Sequence, residues 1–349
     1  MAWETTNEKC RWHTRRYSGF VDDACGGTAA AAEAFARFGV PGALGQPCAD
    51  GWSARWPVTG GERPLMLVRL GDDGGAWLFA VTRHMSARGW PVETPLNGPG
   101  GPVVTAQGVP FALLQGAAGE PGDRRSRAHQ HVRGRLLARF HRDAASFAER
   151  EQRPGFGRAW ELDLFVRPRA DSFNALLAEF AAEQRDLAWA LRRERYRSLR
   201  ELARLGYGES DSTLIHGHFG GDGLLFRDGA IAAVPALDLV RRDSAMFDVA
   251  VALALACADP GGEALDAGLV HAFMAGYAAG GRLAIEQARL VLPLVRAAYT
   301  WQGMAALLSW KAGSGPDAIE RLQRIAERRL PALDARRVEL TEAVEAAAG

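Results

Sequence analysis

The sequence predicts an α+β fold in two parts, a small antiparallel β part that carries one helix and a larger, mainly helical part. Short apolar runs bounded by Gly and Pro turns dominate up to residue 115, and longer segments with helical spacing dominate after residue 123. Between them, residues 116–123 are rich in glycine and proline, which interrupt helices and strands alike. We therefore expect two domains, 1–115 with an N-terminal extension and 116–349.

The elements follow from the spacing of apolar residues. In the first part, helices are predicted at 29–38 and 76–87, and strands at 53–58, 65–70, 103–106 and 111–115. In the second part, helices are predicted at 128–142, 172–205, 244–257, 264–279, 285–308 and 316–348. Because proline removes a backbone donor, Pro293 should kink or divide the fifth of these helices, and Pro331 should interrupt the last.

Residues 214–226 form the segment most informative about function. They read Leu-Ile-His-Gly-His-Phe-Gly-Gly-Asp-Gly-Leu-Leu-Phe, with the histidines at His216 and His218. The turn residues 227–229 and a second apolar run, 230–234, follow them, which predicts a β-hairpin directly after the loop.

This segment resembles the catalytic loop of the aminoglycoside phosphotransferase and choline kinase-like family, which has a two-lobed protein kinase-like fold. The family carries His-Gly-Asp, four residues and Asn, then two apolar strands and a metal-binding Asp. The resemblance covers roughly residues 30–310 and includes a helix end at Phe140 and His141. It also includes a helix start at residues 244–252, where the resemblance implies that Asp248 caps the loop backbone.

Against the family pattern, the chemical side chains of the loop are replaced. The catalytic-base Asp falls on His218, the metal-binding Asn on Gly223 and the metal-binding Asp on Ala236. Mg²⁺ prefers oxygen ligands, so we do not expect Mg²⁺ to bind. Asp222 and Asp238 lie one and two residues from the expected metal positions, and a register shift would bring either carboxylate into the site.

The nucleotide side is also altered relative to the family. Arg69 stands where the family has a phosphate-contacting Lys or Arg, but the position of its acidic partner holds Leu78 or Phe79. Ser53, in the loop segment 49–56, and Gln115, before the hinge, complete the candidate cofactor-binding residues. ATP is retained as a candidate ligand. Four tryptophans of this part are interpreted either as a pocket lining or as core, with core favoured: Trp52, Trp56, Trp77 and Trp90.

Three functions stay open for the altered loop. The first is a catalytically degenerate, pseudokinase-like protein that binds a small molecule, a peptide or a partner protein in the retained cleft, as an accessory factor in a biosynthetic pathway. The second is an unorthodox ATP-dependent phosphotransferase that uses Asp222 or Asp238. The third is an enzyme of another class with His218 as acid or base. A zinc or iron site at His216 and His218 is the least favoured interpretation.

Composition excludes several classes of protein. The chain has 349 residues, 48% hydrophobic and 24% charged, with a net charge of +1, which is typical of a globular protein and not of a nucleic-acid binder. Basic runs such as residues 192–195 are interpreted as solvated surface. The four cysteines show no metal-binding spacing, and no apolar run reaches the roughly 20 residues of a membrane span. We therefore expect a cytoplasmic protein that binds neither nucleic acid nor membrane.

Overall fold

The computed structural model describes residues 21–46, 48–50, 53–61, 63–70, 75–149, 151–153, 158, 173–220, 224–227, 230–235, 237–311 and 315–348. The chain has the predicted α+β architecture, an antiparallel sheet followed by a larger helical region. It divides into two compact units, the first being Met1–Glu120, Leu225–Leu239 and Leu308–Ala318, and the second Pro121–Leu224, Val240–Leu307 and Ile319–Gly349. The contiguous division into 1–115 and 116–349 stays a prediction about domains.

The helices are α1 Val21–Phe38, α2 Ala76–Ser86, α3 Arg127–Ala144, α4 Phe173–Phe180, α5 Arg185–Arg204, α6 Ala245–Ala256, α7 Ala267–Gly280, α8 Ile285–Lys311, α9 Gly315–Gln323, α10 Leu330–Ala335 and α11 Arg337–Glu345. The strands are β1 Ala43–Leu44, β2 Cys48–Asp50, β3 Ser53–Thr59, β4 Leu65–Arg69, β5 Thr94–Pro95, β6 Val104–Ala106, β7 Val109–Gln115, β8 Glu120–Pro121, β9 Thr213–Ile215, β10 Leu225–Arg227, β11 Ala230–Ala233 and β12 Arg241–Asp243. Shorter elements are the 3-10 helices Tyr207–Glu209 and Leu237–Leu239 and the π-helix Arg324–Arg329. Among the described helices, none combines the length and apolar character needed to cross a bilayer.

The first unit is built on a seven-stranded sheet. Its strand order is β1-β3-β4-β7-β5, with β2 paired to β3 and β6 to β7. Helix α1 packs on one face through Ala30, Ala31 and Ala34, whose small side chains are buried against the strands and allow close approach. On the same face Trp56 meets Phe111 edge to face, with ring centroids 5.9 Å apart. This face is a closed hydrophobic core.

Three tryptophans of the first unit belong to the core. Trp56, Trp77 and Trp90 are each less than one-tenth exposed. The core interpretation is therefore confirmed for these three, and the pocket interpretation is wrong for them. Trp52 lies outside the described residues.

In the second unit, α3 and α7 pack with their backbones in direct contact. A Cβ atom on Gly134 would lie 1.9 Å from the carbonyl oxygen of Phe273, and one on Gly276 would lie 1.9 Å from that of His131. Only glycine fits where two helix backbones approach this closely. The close contact places the end of α3 beside α7, where His141 of α3 lies 2.9 Å from the hydroxyl of Tyr277 of α7.

Three helical regions differ from the sequence prediction or refine it. The predicted helix 172–205 is two helices, α4 and α5, separated by a turn at residues 181–184 that contains no glycine or proline. Helix α8 runs through Pro293 without a break. The C-terminal helical region is interrupted by a π-helix just before Pro331, and Pro331 lies in the first turn of α10.

Candidate functional site

The altered loop is anchored by two short strands. β9 pairs antiparallel with β12, with Ile215 opposite Arg241. The loop follows β9 directly in the chain, and α6 begins two residues after β12. Ser244 caps α6 by accepting a hydrogen bond from the backbone N–H of Met246 at 3.3 Å. The first turn of α6 therefore lies next to the loop backbone.

Asp248, in that first turn, holds the loop. Its carboxylate is fully buried and accepts hydrogen bonds from the backbone N–H of His216 at 2.8 Å and of Gly217 at 2.9 Å. It also lies 3.0 Å from Nε2 of His141. Because an ionised carboxylate only accepts, Nε2 carries a proton, and Nδ1 of His141 lies 2.9 Å from the hydroxyl oxygen of Tyr277. The capping role expected for Asp248 is confirmed.

The electrostatics of this carboxylate follow from its partners. Burial by itself would raise the pKa of Asp248. The hydrogen bond from His141, electrostatic interactions with His141 and His216, and the backbone N–H of His216 outweigh burial, so the pKa lies below its usual value. Asp248 is thus a charged structural anchor whose lone pairs are occupied by the protein itself.

His216 supports the loop from inside. Its ring is fully buried, and Nδ1 accepts a hydrogen bond from the backbone N–H of His218 at 3.2 Å. The ring packs edge to face against Phe140 at 5.7 Å and Phe219 at 5.4 Å between centroids. With Nδ1 engaged by the backbone, His216 acts as a packing and hydrogen-bonding residue. Within the described residues, no group of three or more His, Cys, Asp or Glu side chains is placed to hold a metal.

His218 is less buried than its neighbours among the described residues of the loop. Its side chain is half-buried, unlike that of His216, and its carbonyl accepts from the backbone N–H of Gly220 at 2.8 Å. Gly217 has a φ of 80°, a conformation that other residues rarely adopt. A Cβ on Gly220 would lie 2.9 Å from the carbonyl oxygen of Ala252, so the backbone of α6 also restricts the loop. His218 therefore projects from a fixed backbone.

The remaining candidate positions lie wholly or partly outside the described residues. Asp222, Gly223 and Ala236 lie outside the described residues. Asp238 lies in the 3-10 helix Leu237–Leu239, and its side chain is outside the described part. A rescue by Asp222 or Asp238 stays a prediction.

The donor set at the three family positions does not fit a magnesium ion. His218 offers an imidazole, and Gly223 and Ala236 offer no side-chain donor at all. Mg²⁺ requires hard oxygen ligands in near-octahedral geometry, and imidazole suits softer metals. His218, Gly223 and Ala236 therefore do not supply the oxygen ligands that the resemblance implies for a magnesium ion.

The candidate nucleotide residues lie on the sheet of the first unit. Arg69 pairs with Phe111 in the β4–β7 register, and directly opposite residues point to the same face, so Arg69 lies on the face that α1 covers. Gln115 ends β7, and its Oε1 accepts from Arg63 at 3.4 Å. Ser53 begins β3 opposite Asp50, and its side chain is outside the described part. Cofactor binding by these residues stays a prediction.

A buried ion pair on the opposite face was missed from the sequence. Arg55 lies opposite Val68 in the β3–β4 register, and its guanidinium is 3.1 Å from the carboxylate of Glu93. Arg55 is only 4% exposed and Glu93 8%. The resemblance implies an acidic partner within α2, whereas Glu93 follows α2. The signal in the sequence that could have indicated a buried acid is the position of Glu93 directly after the apolar residues 90–92.

Several solved structures share this fold. The structure of the microcompartment-associated aminopropanol kinase has a TM-score of 0.63 at 18% identity, covering 90% of this chain and 99% of that one. Choline kinase from Cryptosporidium parvum Iowa II has a TM-score of 0.58 at 10% identity, covering 87% and 92%. A thermostable mutant of an aminoglycoside phosphotransferase, in ternary complex with ADP and hygromycin B, has a TM-score of 0.53 at 15% identity, covering 90% of this chain and 97% of that one.

The sequence comparison agrees with the fold. No curated protein matches the chain. The model of the phosphotransferase enzyme family matches residues 45–287, which is more than half of the chain and includes strands β2 to β7 of the sheet, the altered loop and Asp248. The resemblance to aminoglycoside phosphotransferases and choline kinases and the kinase-like fold are confirmed, and this chain belongs to the phosphotransferase enzyme family.

Proposed function

We propose that this chain is a catalytically degenerate member of its family, which binds a small molecule and does not transfer a phosphoryl group to it. The observation that carries the proposal is a contrast within one loop. Asp248 and His216 hold the backbone of residues 216–218 as the family pattern requires. At the base and metal positions of the same pattern stand His218, Gly223 and Ala236.

The chemistry of the missing groups supports the proposal. Phosphoryl transfer depends on positioning the acceptor hydroxyl and on neutralising phosphate charge with metal ions. A positioned general base contributes about 10²–10⁴ in rate, and His218 could supply only this part. Loss of both metal positions removes the charge neutralisation as well. Retention of a well-packed loop without this chemistry fits selection for binding.

The relatives suggest the class of ligand. Their names specify aminopropanol, choline and hygromycin B, small molecules that carry hydroxyl groups together with amino or ammonium groups. We propose that this chain binds a small molecule of the same class, and we treat a peptide or protein ligand as the less favoured alternative.

The first experiment is calorimetric titration of the protein with ATP, with Mg²⁺ and then with EDTA, followed by an ADP assay on the same samples. We expect no Mg²⁺-dependent binding and no ADP. The matched control is the Gly223→Asn/Ala236→Asp variant, which restores the family oxygen ligands and should bind ATP more tightly with Mg²⁺ than with EDTA.

Three outcomes would overturn the proposal in distinguishable ways. Mg²⁺-dependent ADP formation that disappears in Asp222→Ala or Asp238→Ala would establish the unorthodox phosphotransferase. A metal-independent reaction that disappears in His218→Ala would establish an enzyme of another class. Absence of thermal stabilisation by aminopropanol, choline and hygromycin B, together with binding of a peptide, would correct the ligand class.

A further inference from the structure

Tyr277 is a buried side chain of α7 that lies next to the hydrogen bonds holding the altered loop. It is 6% exposed, and its hydroxyl oxygen lies 2.9 Å from Nδ1 of His141 on α3. The two rings meet edge to face, with centroids 5.8 Å apart. Within the described part of the chain, the hydroxyl has no other hydrogen-bond partner. Its one polar contact is therefore to the residue that pairs with Asp248.

The hydroxyl of Tyr277 keeps its proton at neutral pH. Burial raises the pKa of Tyr277, and the nearby carboxylate of Asp248 raises it further. A buried hydroxyl needs an acceptor for its proton. Nε2 of His141 carries a proton toward Asp248, and the second nitrogen of a neutral imidazole is an acceptor. A hydrogen bond from Tyr277 to Nδ1 of His141 therefore gives both the hydroxyl and the ring nitrogen a complementary partner.

The backbone of Tyr277 lies directly against α3. A Cβ on Gly134 would lie 2.8 Å from the backbone nitrogen of Tyr277. A Cβ on Gly280 would lie 2.8 Å from the Cβ of Ala138. Gly134, Ala138 and His141 are spaced four and three residues apart, so they share one face of α3. The glycines thus let α7 approach the face that ends in His141, and the hydroxyl of Tyr277 reaches that ring.

The contact continues from His141 to the backbone of the loop. Nε2 of His141 lies 3.0 Å from Oδ2 of Asp248, and the same oxygen accepts from the backbone N–H of His216 at 2.8 Å. Oδ1 of Asp248 accepts from the backbone N–H of Gly217 at 2.9 Å. Rotation of the His141 ring would remove a donor from the carboxylate that holds both amides. The position of this carboxylate therefore depends on the orientation of the ring.

We propose that Tyr277 is a positioning residue for the altered loop: its hydroxyl donates to Nδ1 of His141, fixes the orientation of that ring, and so fixes the carboxylate of Asp248 beneath residues 216–218. Each of the three side chains is less than one-tenth exposed, so water competes little for these hydrogen bonds. The consequence for ligand affinity rests on the proposed function, because the ligand would bind beside this loop. The consequence for the loop itself does not.

The test is Tyr277→Phe, which removes the hydroxyl and keeps the ring. Hydrogen–deuterium exchange of the full-length protein reports the opening of the loop at the amides of His216 and Gly217, and division by the exchange rates in α8 removes any change in global stability. We expect both loop amides to exchange about 10-fold faster, the factor that corresponds to the net contribution of one hydrogen bond.

Tyr299→Phe is the matched control. Tyr299 is also buried in the second unit, and its hydroxyl has no hydrogen-bond partner among the residues that the structure describes. The same chemical change should therefore leave the normalised exchange of the loop amides unaltered.

Two further measurements separate positioning from a general effect on stability. Asp248→Asn breaks the link between His141 and the loop, so adding Tyr277→Phe to it should change the exchange of Gly217 by less than about 2-fold. In protein labelled with ¹⁵N-histidine, Nδ1 of His141 should resonate as an unprotonated nitrogen at about pH 8, where an ordinary histidine is neutral. Tyr277→Phe should shift this resonance toward that of a nitrogen without a hydrogen bond.

Three results would overturn the proposal. The first is equal loop exchange in wild type, Tyr277→Phe and Tyr299→Phe. The second is a proton on Nδ1 of His141 in the wild type at about pH 8, because Tyr277 would then be the acceptor. The third is a full effect of Tyr277→Phe in the Asp248→Asn variant, because Tyr277 would then act by another route. Faster loop exchange in a protein that binds neither aminopropanol, choline nor hygromycin B would uphold the positioning role and count against the proposed function.

Discussion

Replacing Asp248 by asparagine keeps the size of the side chain but removes its charge and one of its two acceptor oxygens. The carboxylate accepts from His216 at 2.8 Å, Gly217 at 2.9 Å and His141 at 3.0 Å. Whichever way the amide is turned, its NH₂ group faces at least one of these buried donors. A buried donor without a partner costs about 1–3 kcal/mol, and bonds to a charged acceptor contribute about 1.5–3 kcal/mol each. We expect the free energy of unfolding to fall by about 3 kcal/mol.

Urea unfolding followed by tryptophan fluorescence measures this loss at pH 7 and at pH 3. Because the pKa of Asp248 is lowered by folding, its contribution is present above the unfolded pKa, about 4, and is lost as the pH falls through the folded value. The difference between wild type and variant should therefore be larger at pH 7 than at pH 3. Asp266→Asn is the control, since Asp266 caps α7 and asparagine caps equally well. A loss below about 1 kcal/mol at pH 7, or a difference that grows in acid, would refute the reasoning.

Two further substitutions test the packing of each unit. Gly134→Ala should lower the free energy of unfolding by about 2 kcal/mol in thermal unfolding, because a methyl group 1.9 Å from the carbonyl oxygen of Phe273 forces α3 and α7 apart. This cost outweighs the roughly 1 kcal/mol gained in helix propensity. Gly100→Ala, with nothing within 4 Å of the new methyl group, should be neutral, and equal effects of the two substitutions would contradict this prediction. Glu93→Leu should lower the free energy of unfolding in urea by about 3–5 kcal/mol, because it removes a buried partner of Arg55. The double variant Arg55→Met/Glu93→Leu should recover most of that stability. A double variant no more stable than Glu93→Leu alone would contradict the predicted importance of the ion pair.

The sequence predicted the parts of the fold that local patterns determine. The hairpin after the loop appears as β10 paired with β11, and the strands at 53–58 and 65–70 appear within one or two residues of their predicted ends. The anchoring role of Asp248 was also predictable, because the resemblance supplied a long-range contact that spacing alone does not reveal.

The rest depends on contacts between distant residues. The Arg55–Glu93 pair joins residues 38 positions apart, and nothing local marks them as partners. The break between α4 and α5 occurs without a glycine or proline, so tertiary packing overrides helix propensity there. The face to which Arg69 points became clear only from the strand register, since a change of one residue in register would move it to the other face.

The hydrogen bonds that Asp248 makes to His216 and Gly217 are complete within the protein, and this has a consequence for ligand affinity. A segment that becomes ordered only on binding subtracts its ordering entropy from the affinity, whereas residues 216–220 are already held by hydrogen bonds in the folded chain. The backbone amides of His216 and Gly217 should therefore exchange with deuterium equally slowly in the free and the ligand-bound protein. Affinity for a ligand would then reflect the fit of His218 and its surroundings, undiminished by any rearrangement of the chain beneath them.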